Sequence, residues 1–538
     1  MIYILIENEE YDKEIRYVFD YIFKYIFRIE EQVKISAYQK DLNLSNIKLL
    51  ITYGKTRLKS NSSVPHLHIY ESDLFSDNYL NQKSMPSLPL EEYEDEELKT
   101  IINETNLPVI YTGNRNLNKL VTTIENIIET NIDIIASSFF MLSRYEEVVT
   151  PVKDKHNRFP AEASVAYKED FLNRPIVNEY IELLWYWMKN LQPKLARTNI
   201  WNDKDFAFFL SHDIDHIYKY GCGLQKFLNG IKKIGGAVIK RQSVKEAFLN
   251  IQELNGSDPY FIFEDMMKLE DKYDIKSSWY FKVDNNTPNN GDKYLLNDLD
   301  LVINKLINNG HEIGIHPSYN SYDNSQIMKR EAKKICNRYN LRRKELGVRQ
   351  HYLRFDITKT WSIQEECGLL YDSTLGYADV IGFRAGVCHP YKPYDLYKRR
   401  VYDLWEIPLI VMDGTLKHYM NLTPEDSYKE IMELLKTIQN YQGVFSLLWH
   451  NSSLDSLWKN WDELCFNTLK DKEEVFECKF NLLSKDKETI KLEMKASPLI
   501  RDYILLGVIV VARDMRDQIK TKNTLQDKIK QLETQKAY

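Results

Sequence analysis

The sequence predicts an α/β fold, and two patterns in it indicate this class. In the first two hundred residues, short β-rich runs alternate with segments of helical periodicity, which is typical of an α/β domain. After residue 205, short apolar runs that read as buried strands each end in a polar cluster. Polar side chains at strand ends are held by a rigid platform, so these clusters are the candidate functional residues.

The N-terminal two hundred residues are predicted to form an α/β domain of their own, at 1–200. Helical periodicity runs from Asp12 to Phe27 and from Leu120 to Glu129. Four apolar runs are predicted strands: Ile2–Ile6, Ile47–Tyr53, His66–Tyr70 and Pro108–Tyr111.

The C-terminal part is predicted to be a small antiparallel β piece at 473–514, followed by an amphipathic or coiled-coil helix at 515–538. Three strand-like runs, at 475–482, 488–496 and 503–511, are separated by turn-rich breaks. These runs resemble the last three strands of a PAS domain, and the helix resembles the signalling helix that usually follows. The front half of a PAS fold is absent, so the resemblance implies docking or dimerisation, with a homodimer formed through the helix.

Two clusters of Asp and His residues carry the strongest chemical signal. Asp213-Ile214-Asp215 stands behind the apolar run Phe206–Leu210, and His316 ends the strand-like run Gly310–His316. Strand alternation puts Glu312, Gly314 and His316 on one face, with His316 at the exit. A carboxylate and an imidazole at strand ends can converge on one cation, and a bound cation makes water nucleophilic near neutral pH.

Two further elements follow in order. They are Arg349–Tyr352 and Leu448-Trp449-His450. The ordered set resembles the polysaccharide deacetylase, or NodB-homology, family across residues 205–470, with His351 where that family usually has Pro. The resemblance implies a distorted (β/α) barrel and a hydrolase that removes acetyl groups from N-acetylated, or less often O-acetylated, sugars.

The resemblance also implies a role for each matching residue and a divalent metal, zinc, as cofactor. The metal would polarise the acetyl carbonyl and lower the pKa of its water. Asp213 would be the general base, oriented by Arg349. His450 would protonate the leaving amine, because an amide anion is too basic to depart. The remaining implied roles are metal binding by Asp215, His316 and Asn320, and substrate contact by Tyr352, Arg384 and Asp379.

Asn320 departs from the family pattern, because the second metal histidine should stand four residues after His316. An amide oxygen is a poorer zinc ligand than an imidazole. Three alternatives follow. The site is weak, the metal has been lost, or one of His212, His216 and His450 completes the site.

Each of these residues also has an ordinary structural interpretation. Asp213 or Asp215 alone could cap a turn or helix. His450 alone would more often be a hydrogen-bonded core histidine, and Arg349 could be half of a structural ion pair. His212 and His216 have no family role, which favours a structural one. Joint occurrence in the correct order is what favours the catalytic interpretation.

Composition indicates an ordinary enzyme and excludes several partners. The net charge is −6 and there is no large basic block, so neither nucleic acid nor an anionic membrane is indicated. The six cysteines form no Cys-x-x-Cys pair, which is typical of a reducing compartment. The apolar start Met1–Ile6 has no basic leader, and Tyr503–Ala512 is too short to span a bilayer. We therefore expect a cytoplasmic protein acting on a sugar precursor or a lipid-linked glycan.

The N-terminal segments Asp133–Glu147 and Phe171–Val177 resemble the uncharacterised domain attached to deacetylase-like proteins of bacterial surface-polysaccharide clusters. Two function classes remain. The first is a metal-dependent carbohydrate deacetylase in surface-glycan synthesis. The second is a catalytically inactive, deacetylase-like glycan-binding or regulatory protein.

Overall fold

A computed structural model describes most of the chain. The described residues are 1–37, 46–57, 64–113, 119–201, 206–221, 223–240, 242–272, 275–284, 294–454, 482–483, 489–490, 492–501 and 504–514. They divide into two compact units, each built from two stretches of sequence. Unit 1 comprises 1–202 and 319–410, and unit 2 comprises 203–318 and the chain from 411 onward.

Unit 1 begins with a sheet whose central strands are buried on both faces. Its elements up to residue 202 are β1 Ile2–Ile6, α1 Asp12–Asp20, β2 Val33–Ala37, β3 Leu49–Gly54, β4 His66–Tyr70, β5 Glu91–Glu94, α2 Leu98–Ile101, β6 Asn106–Val109, β7 Val121–Ile124, β8 Ile127–Thr130, α3 Ile134–Leu142, α4 Tyr145–Val149, α5 Val165–Lys168 and α6 Ile176–Leu191.

The strand order in this sheet is β2-β1-β3-β4-β8-β7, with all neighbours parallel except β7 and β8. Every residue of β1, β3 and β4 is buried. Strands buried along their whole length are typical of a parallel sheet covered on both faces. The predicted α/β class is therefore confirmed for this part of the chain.

The predicted helix at Leu120–Glu129 is wrong. The segment is the antiparallel hairpin β7 and β8, with Glu125 in the left-handed region at its turn. Apolar residues at 120, 121, 124, 127 and 128 match helical spacing, but the segment is rich in Val, Thr and Ile. β-branched side chains lose rotamer freedom in a helix and pack well on a sheet. The segment therefore forms paired strands despite the helical spacing of its apolar residues.

Unit 2 continues the chain with alternating strands and helices. The next elements, up to residue 318, are β9 Phe206–Ile214, α7 Gly223–Ile239, α8 Val244–Leu254, α9 Phe263–Lys272, β10 Ser278–Lys282, α10 Asp300–Asn308 and β11 Glu312–His316. The chain then returns to unit 1 with α11 Ser325–Tyr339, β12 Gly347–Val348, α12 Thr360–Glu366, β13 Tyr371–Asp372, β14 Tyr394–Asp395, β15 Arg400–Val401 and β16 Trp405–Glu406.

The last stretch of unit 2 adds two parallel strands and a C-terminal antiparallel piece. Its elements are β17 Val411–Met412, α13 Pro424–Asn440, β18 Val444–Leu448, β19 Leu482–Leu483, β20 Thr489–Ile490, β21 Leu492–Arg501 and β22 Ile504–Asp514.

Unit 2 contains a five-stranded parallel sheet in the order β11-β10-β9-β18-β17. Unit 1 contains three more parallel strands in the order β16-β13-β12. Between 206 and 448 the described chain thus has eight parallel strands, most of them separated by helices. Alternating parallel strands and helices are what the predicted distorted (β/α) barrel requires, so the predicted fold class is confirmed.

The C-terminal hairpin also agrees with the prediction of an antiparallel β piece. β21 and β22 pair with each other, and β22 runs antiparallel to the start of β9. The predicted helix at 515–538, and the homodimer that depends on it, lie outside the described residues. The predicted domain boundaries at 200, 205, 470 and 514 stay predictions. In the part of the chain described above, no helix is both long and apolar enough to cross a membrane.

Candidate active site

Five side chains with acid–base or metal-binding groups meet at one edge of the unit 2 sheet. Asp213 is the next-to-last residue of β9, Asp215 follows that strand, and His316 is the last residue of β11. Asp413 follows β17, and His450 stands two residues after β18. Because these strands are parallel, their carboxyl ends lie at the same edge, which is where α/β proteins place ligands.

The distances within this cluster are short. His316 Nε2 lies 3.2 Å from Asp215 Oδ1, and its Nδ1 lies 3.8 Å from Asp213 Oδ2. On the other side of Asp215, Oδ2 lies 3.7 Å from His450 Nε2. Asp213 and His316 are almost fully buried, whereas Asp215 and His450 retain some solvent exposure. The cluster is therefore a largely desolvated group that opens to solvent beside Asp215.

His450 is held in place by Asp413, which is completely buried. Asp413 Oδ1 lies 2.7 Å from His450 Nδ1, and its Oδ2 accepts a hydrogen bond from the His450 backbone N–H at 2.8 Å. Burial alone would lower the pKa of His450, but the charge and hydrogen bond of Asp413, helped by Asp215 and Asp213, raise it to about 10. Burial likewise opposes ionisation of Asp413, yet His450 holds the pKa of this carboxyl below its usual range. His450 is therefore a cation with Nε2 directed toward Asp215.

Sequence analysis missed Asp413. The signal was present, because Asp413 follows the short apolar run 407–412 in the same way that Asp213 and Asp215 follow 206–210. Aspartate is also common in turns, and Asp413-Gly414 reads as an ordinary strand-ending turn. Only the contact with His450 distinguishes the two interpretations.

His212 is excluded as a replacement metal ligand by its hydrogen bonds. Its Nδ1 lies 2.7 Å from the Trp449 carbonyl oxygen, and its Nε2 lies 2.7 Å from Glu270 Oε1. Because β9 alternates, His212 lies on the opposite face from Asp213. Both ring nitrogens are occupied, so the structural interpretation of His212 is confirmed.

His216 has a less defined environment. It is half-buried, with its ring 6.2 Å from that of Tyr260, and its backbone carbonyl accepts a hydrogen bond from Asn451. Its predicted structural role stays a prediction.

Asp215 and His316 have the donor atoms and spacing of a metal-ligand pair. Two ligands each about 2.0–2.1 Å from a tetrahedral zinc ion are about 3.3 Å apart. The distance between Asp215 Oδ1 and His316 Nε2 is 3.2 Å, close to this value. A carboxylate oxygen and an imidazole nitrogen suit zinc and related divalent ions. These two residues therefore fit the predicted cofactor.

The N-terminal part of the chain matches the profile of a known protein family. The profile of a family of unknown function, DUF7033, matches residues 3–193. This agrees with the predicted resemblance to an uncharacterised N-terminal domain.

A crystal structure from Mycobacterium smegmatis, of a protein whose name proposes a polysaccharide deacetylase, also matches. It is 14% identical, covers 51% of this chain and 87% of its own, and has a TM-score of 0.32. No curated protein matches the sequence. None of these findings supports a PAS domain.

The other predicted site residues belong to unit 1. Arg349 is completely buried and its Nη2 donates to Ser373 Oγ at 3.0 Å. Asn320 is exposed, and its amide oxygen accepts a hydrogen bond from Arg354 Nη1 at 3.3 Å. Asp379 is exposed. The predicted roles of these three residues stay predictions.

Tyr352 is an exposed aromatic residue on a strained segment. It is 40% exposed, and both Tyr352 and Leu353 have positive φ angles, at 62° and 52°. Its ring centroid lies 4.9 Å from that of His156 and 5.4 Å from that of Tyr319. Consecutive left-handed residues cost conformational energy and occur preferentially at functional sites. An exposed ring held in this way is suited to stacking on a ligand.

Arg384 lies in a buried ion-pair network of unit 1. Its Nε and Nη2 donate to the two oxygens of Glu147 at 2.9 and 2.6 Å, and its Nη1 donates to the Gly376 carbonyl. Arg144 also pairs with Glu147, at 2.9 Å. Burial disfavours ionisation of Glu147, but the two arginines lower its pKa to about 2. All three guanidinium nitrogens of Arg384 are occupied, which favours a structural role over its predicted substrate contact.

Proposed function

We propose that this protein is a metal-dependent hydrolase that removes an acetyl group from an N-acetylated, or O-acetylated, sugar in bacterial surface-polysaccharide metabolism. One observation carries the proposal. Asp213, Asp215 and His316 lie beside His450, which is itself held by Asp413, at the carboxyl edge of one parallel sheet. Such a cluster supplies a base, a pair of metal ligands and an acid in one place.

Asp215 and His316 would hold a divalent ion, with zinc as the predicted metal. Bound there, the ion would polarise the acetyl carbonyl and lower the pKa of its water. Asp215 and His316 stand at the ends of β9 and β11, two strands of one sheet that both pair with β10, so their donor atoms are positioned before the ion binds.

Asp213 and His450 provide the two proton transfers that amide hydrolysis requires. Asp213, on β9, accepts the proton of the attacking water as general base. His450 is cationic because Asp413 raises its pKa to about 10, so it can donate a proton from Nε2 to the leaving amine. The contact between Asp413 and Nδ1 fixes the ring orientation and leaves Nε2 toward the cluster.

Two residues are candidates for a third protein ligand of the ion. The sequence offers Asn320, at the position where the family has its second metal histidine, and His351, where the family usually has Pro. Imidazole is the better zinc ligand of the two. Metal content of Asn320→Ala and His351→Ala, measured beside the wild type, distinguishes these candidates.

The direct test is acetate release. We expect the zinc-loaded wild type to release acetate from UDP-N-acetylglucosamine or N-acetylglucosamine oligomers. Asp213→Asn and His450→Gln should lose at least a hundredfold in kcat/KM, which is the usual contribution of a general acid or base. Asp426→Asn is the matched control, because that carboxylate is exposed and its partners in the described chain are Thr423, which caps α13, and Lys429 in the first turns of α13.

The alternative function has its own outcome in this experiment. Asn320 in place of the second family histidine favours an inactive glycan-binding protein. Binding of the same oligomers without acetate release, by both wild type and variants, would support that alternative and contradict the hydrolase.

A further inference from the structure

The hairpin formed by α7 and α8 exposes an unusual amount of apolar surface. Soluble proteins rarely expose contiguous patches of large apolar side chains unless they bind something. Within 32 residues, eight large apolar side chains are between 45% and 79% exposed. They are Phe227, Leu228, Ile231, Val238, Ile239, Val244, Phe248 and Ile251. We call these eight residues the hairpin patch.

The two helices pack against each other through residues outside the hairpin patch. Ala237 and Ala247 are buried, and Gly230 packs directly against Leu254. A Cβ atom added at Gly230 would lie 2.4 Å from Leu254 Cδ1, so a larger residue there would displace the Leu254 side chain. The helices therefore pack through residues outside the hairpin patch, and the eight large apolar side chains of the patch stay exposed.

The hairpin is also positively charged, in contrast to the whole chain. Residues 223–254 contain six Lys and Arg residues and two Glu residues, whereas the chain has a net charge of −6. Lys232 and Lys240 are exposed beside the hairpin patch. The whole-chain charge, which indicated no anionic membrane, conceals this local excess of positive charge.

We propose that the hairpin docks this protein on an anionic lipid surface. Helices with large apolar residues flanked by Lys and Arg lie in the membrane interface, with the apolar side chains inserted and the cations near lipid phosphates. Each Lys or Arg near such a surface strengthens the attraction. This mode of attachment needs no membrane-spanning helix.

Charge argues against two other occupants. A second copy of the chain would bring two positively charged hairpins together, which repel. The C-terminal segment 515–538 contains six Lys and Arg residues and three Asp and Glu residues, so it is also positive. An anionic bilayer is complementary to the hairpin in both charge and hydrophobicity.

The base of the hairpin is fixed to the candidate active site of unit 2. Asn451, the residue after His450, donates through Nδ2 to the carbonyl oxygens of His216 and Tyr260, which flank the hairpin in sequence. Asp258 accepts hydrogen bonds from the backbone N–H groups of Lys219 and Tyr220. If the proposed deacetylase function holds, docking would bring this site to a lipid-linked glycan.

The test is co-sedimentation of the full chain with vesicles. We expect binding to vesicles of phosphatidylcholine with 25–30% phosphatidylglycerol, at about ten times or more the affinity for pure phosphatidylcholine, and weakening in high salt. Phe227→Ser with Phe248→Ser, and separately Lys232→Glu with Lys240→Glu, should each raise the Kd at least tenfold. Leu301→Ser is the control, because Leu301 is an 88% exposed apolar residue on α10.

Three results would overturn the proposal. The first is absence of binding to anionic vesicles, and the second is binding that the hairpin substitutions leave unchanged. The third is self-association of the wild type that the Phe227 and Phe248 substitutions abolish, which would assign the patch to a second copy. Unchanged thermal unfolding shows that the variants fold. Acetate release from a soluble substrate should be unaffected by them, so failure of docking and failure of the proposed function are distinguishable.

Discussion

His450 illustrates how one buried contact sets the chemistry of a residue. An ordinary histidine is mostly neutral at pH 8. Asp413 is fully buried, and its carboxylate contacts Nδ1 of His450. This contact raises the pKa of His450 to about 10, so the ring stays protonated at pH 8. The same contact selects which ring nitrogen faces Asp215, so Asp413 is a positioning residue for the proposed acid.

Asp413→Asn tests this role. Loss of the carboxylate lowers the pKa of His450, so the acid form disappears at a lower pH than in the wild type. We expect kcat/KM for acetate release to fall, with its alkaline limb moved to lower pH and KM little changed. A lower rate with an unshifted alkaline limb would indicate that Asp413 only stabilises the fold.

Arg384 is the predicted substrate contact that the structure places in a buried ion pair. Breaking a buried pair by removing one partner usually costs about 3–5 kcal/mol, because the remaining charge is left uncompensated. Glu147 keeps its contact with Arg144, so Arg384→Met should fall near the lower end of this range. Thermal unfolding should show the loss, with kcat/KM of the folded enzyme unchanged.

Arg342→Met is the matched control for that measurement. Its guanidinium is 80% exposed and pairs with Glu345, and exposed pairs contribute little to stability. If Arg384→Met unfolds at the wild-type temperature but has lost activity, Arg384 contacts the substrate as the sequence predicted.

Individual elements show what local sequence could and could not predict. β1 and β4 both match their predicted bounds, the first as a continuous apolar run and the second as His alternating with apolar residues between Pro65 and Glu71. β9 is longer than its predicted apolar run, since Ser211, His212 and Asp213 are still paired in the sheet. These polar residues end the apolar run from which the strand was predicted, but their backbones still pair with β10. The hairpin at 121–130 was mistaken for a helix because its apolar residues have helical spacing, although its β-branched residues favour a sheet.

β4 carries a pH-dependent pair in its interior. His66 and His68 both lie 2.7 Å from Thr52 Oγ1, and burial lowers their pKa values to about 4 and about 3. Below pH 6.5 both histidines are protonated in the unfolded chain but stay neutral in the folded strand, so the free energy of unfolding falls as the pH drops. At pH 5 this costs about 2 kcal/mol for each ring.

Hydrogen exchange at the β3 and β4 amides measures this effect in place. On moving from pH 7.5 to pH 5, the opening free energy of the wild type should fall by about 2 kcal/mol more than that of His68→Gln, which cannot be protonated. An equal fall in both proteins would show that His68 is not the titrating group.

At the scale of the whole molecule, the predicted fold class is confirmed and the predicted domain boundaries stay predictions. The strands and helices alternate as in the predicted (β/α) barrel, and Asp215 and His316 lie at the predicted strand ends. The structure groups 319–410 with the N-terminal residues, and in sequence this stretch stands between the two stretches of unit 2. A single sequence shows which segments form strands, but it carries no signal for which of them cluster across long separations. For the same reason Asp413, distant from His450 in sequence, was missed.

The central claim is that Asp215 and His316 bind a divalent metal, and metal content tests it most directly. The wild type, Asp215→Ala, His316→Ala and the control Asp426→Ala would each be incubated with zinc, dialysed and analysed by mass spectrometry. We predict about one zinc per chain in the wild type and the control, and none in the two ligand variants. Absence of metal from the wild type, or equal metal in all four proteins, would contradict the account.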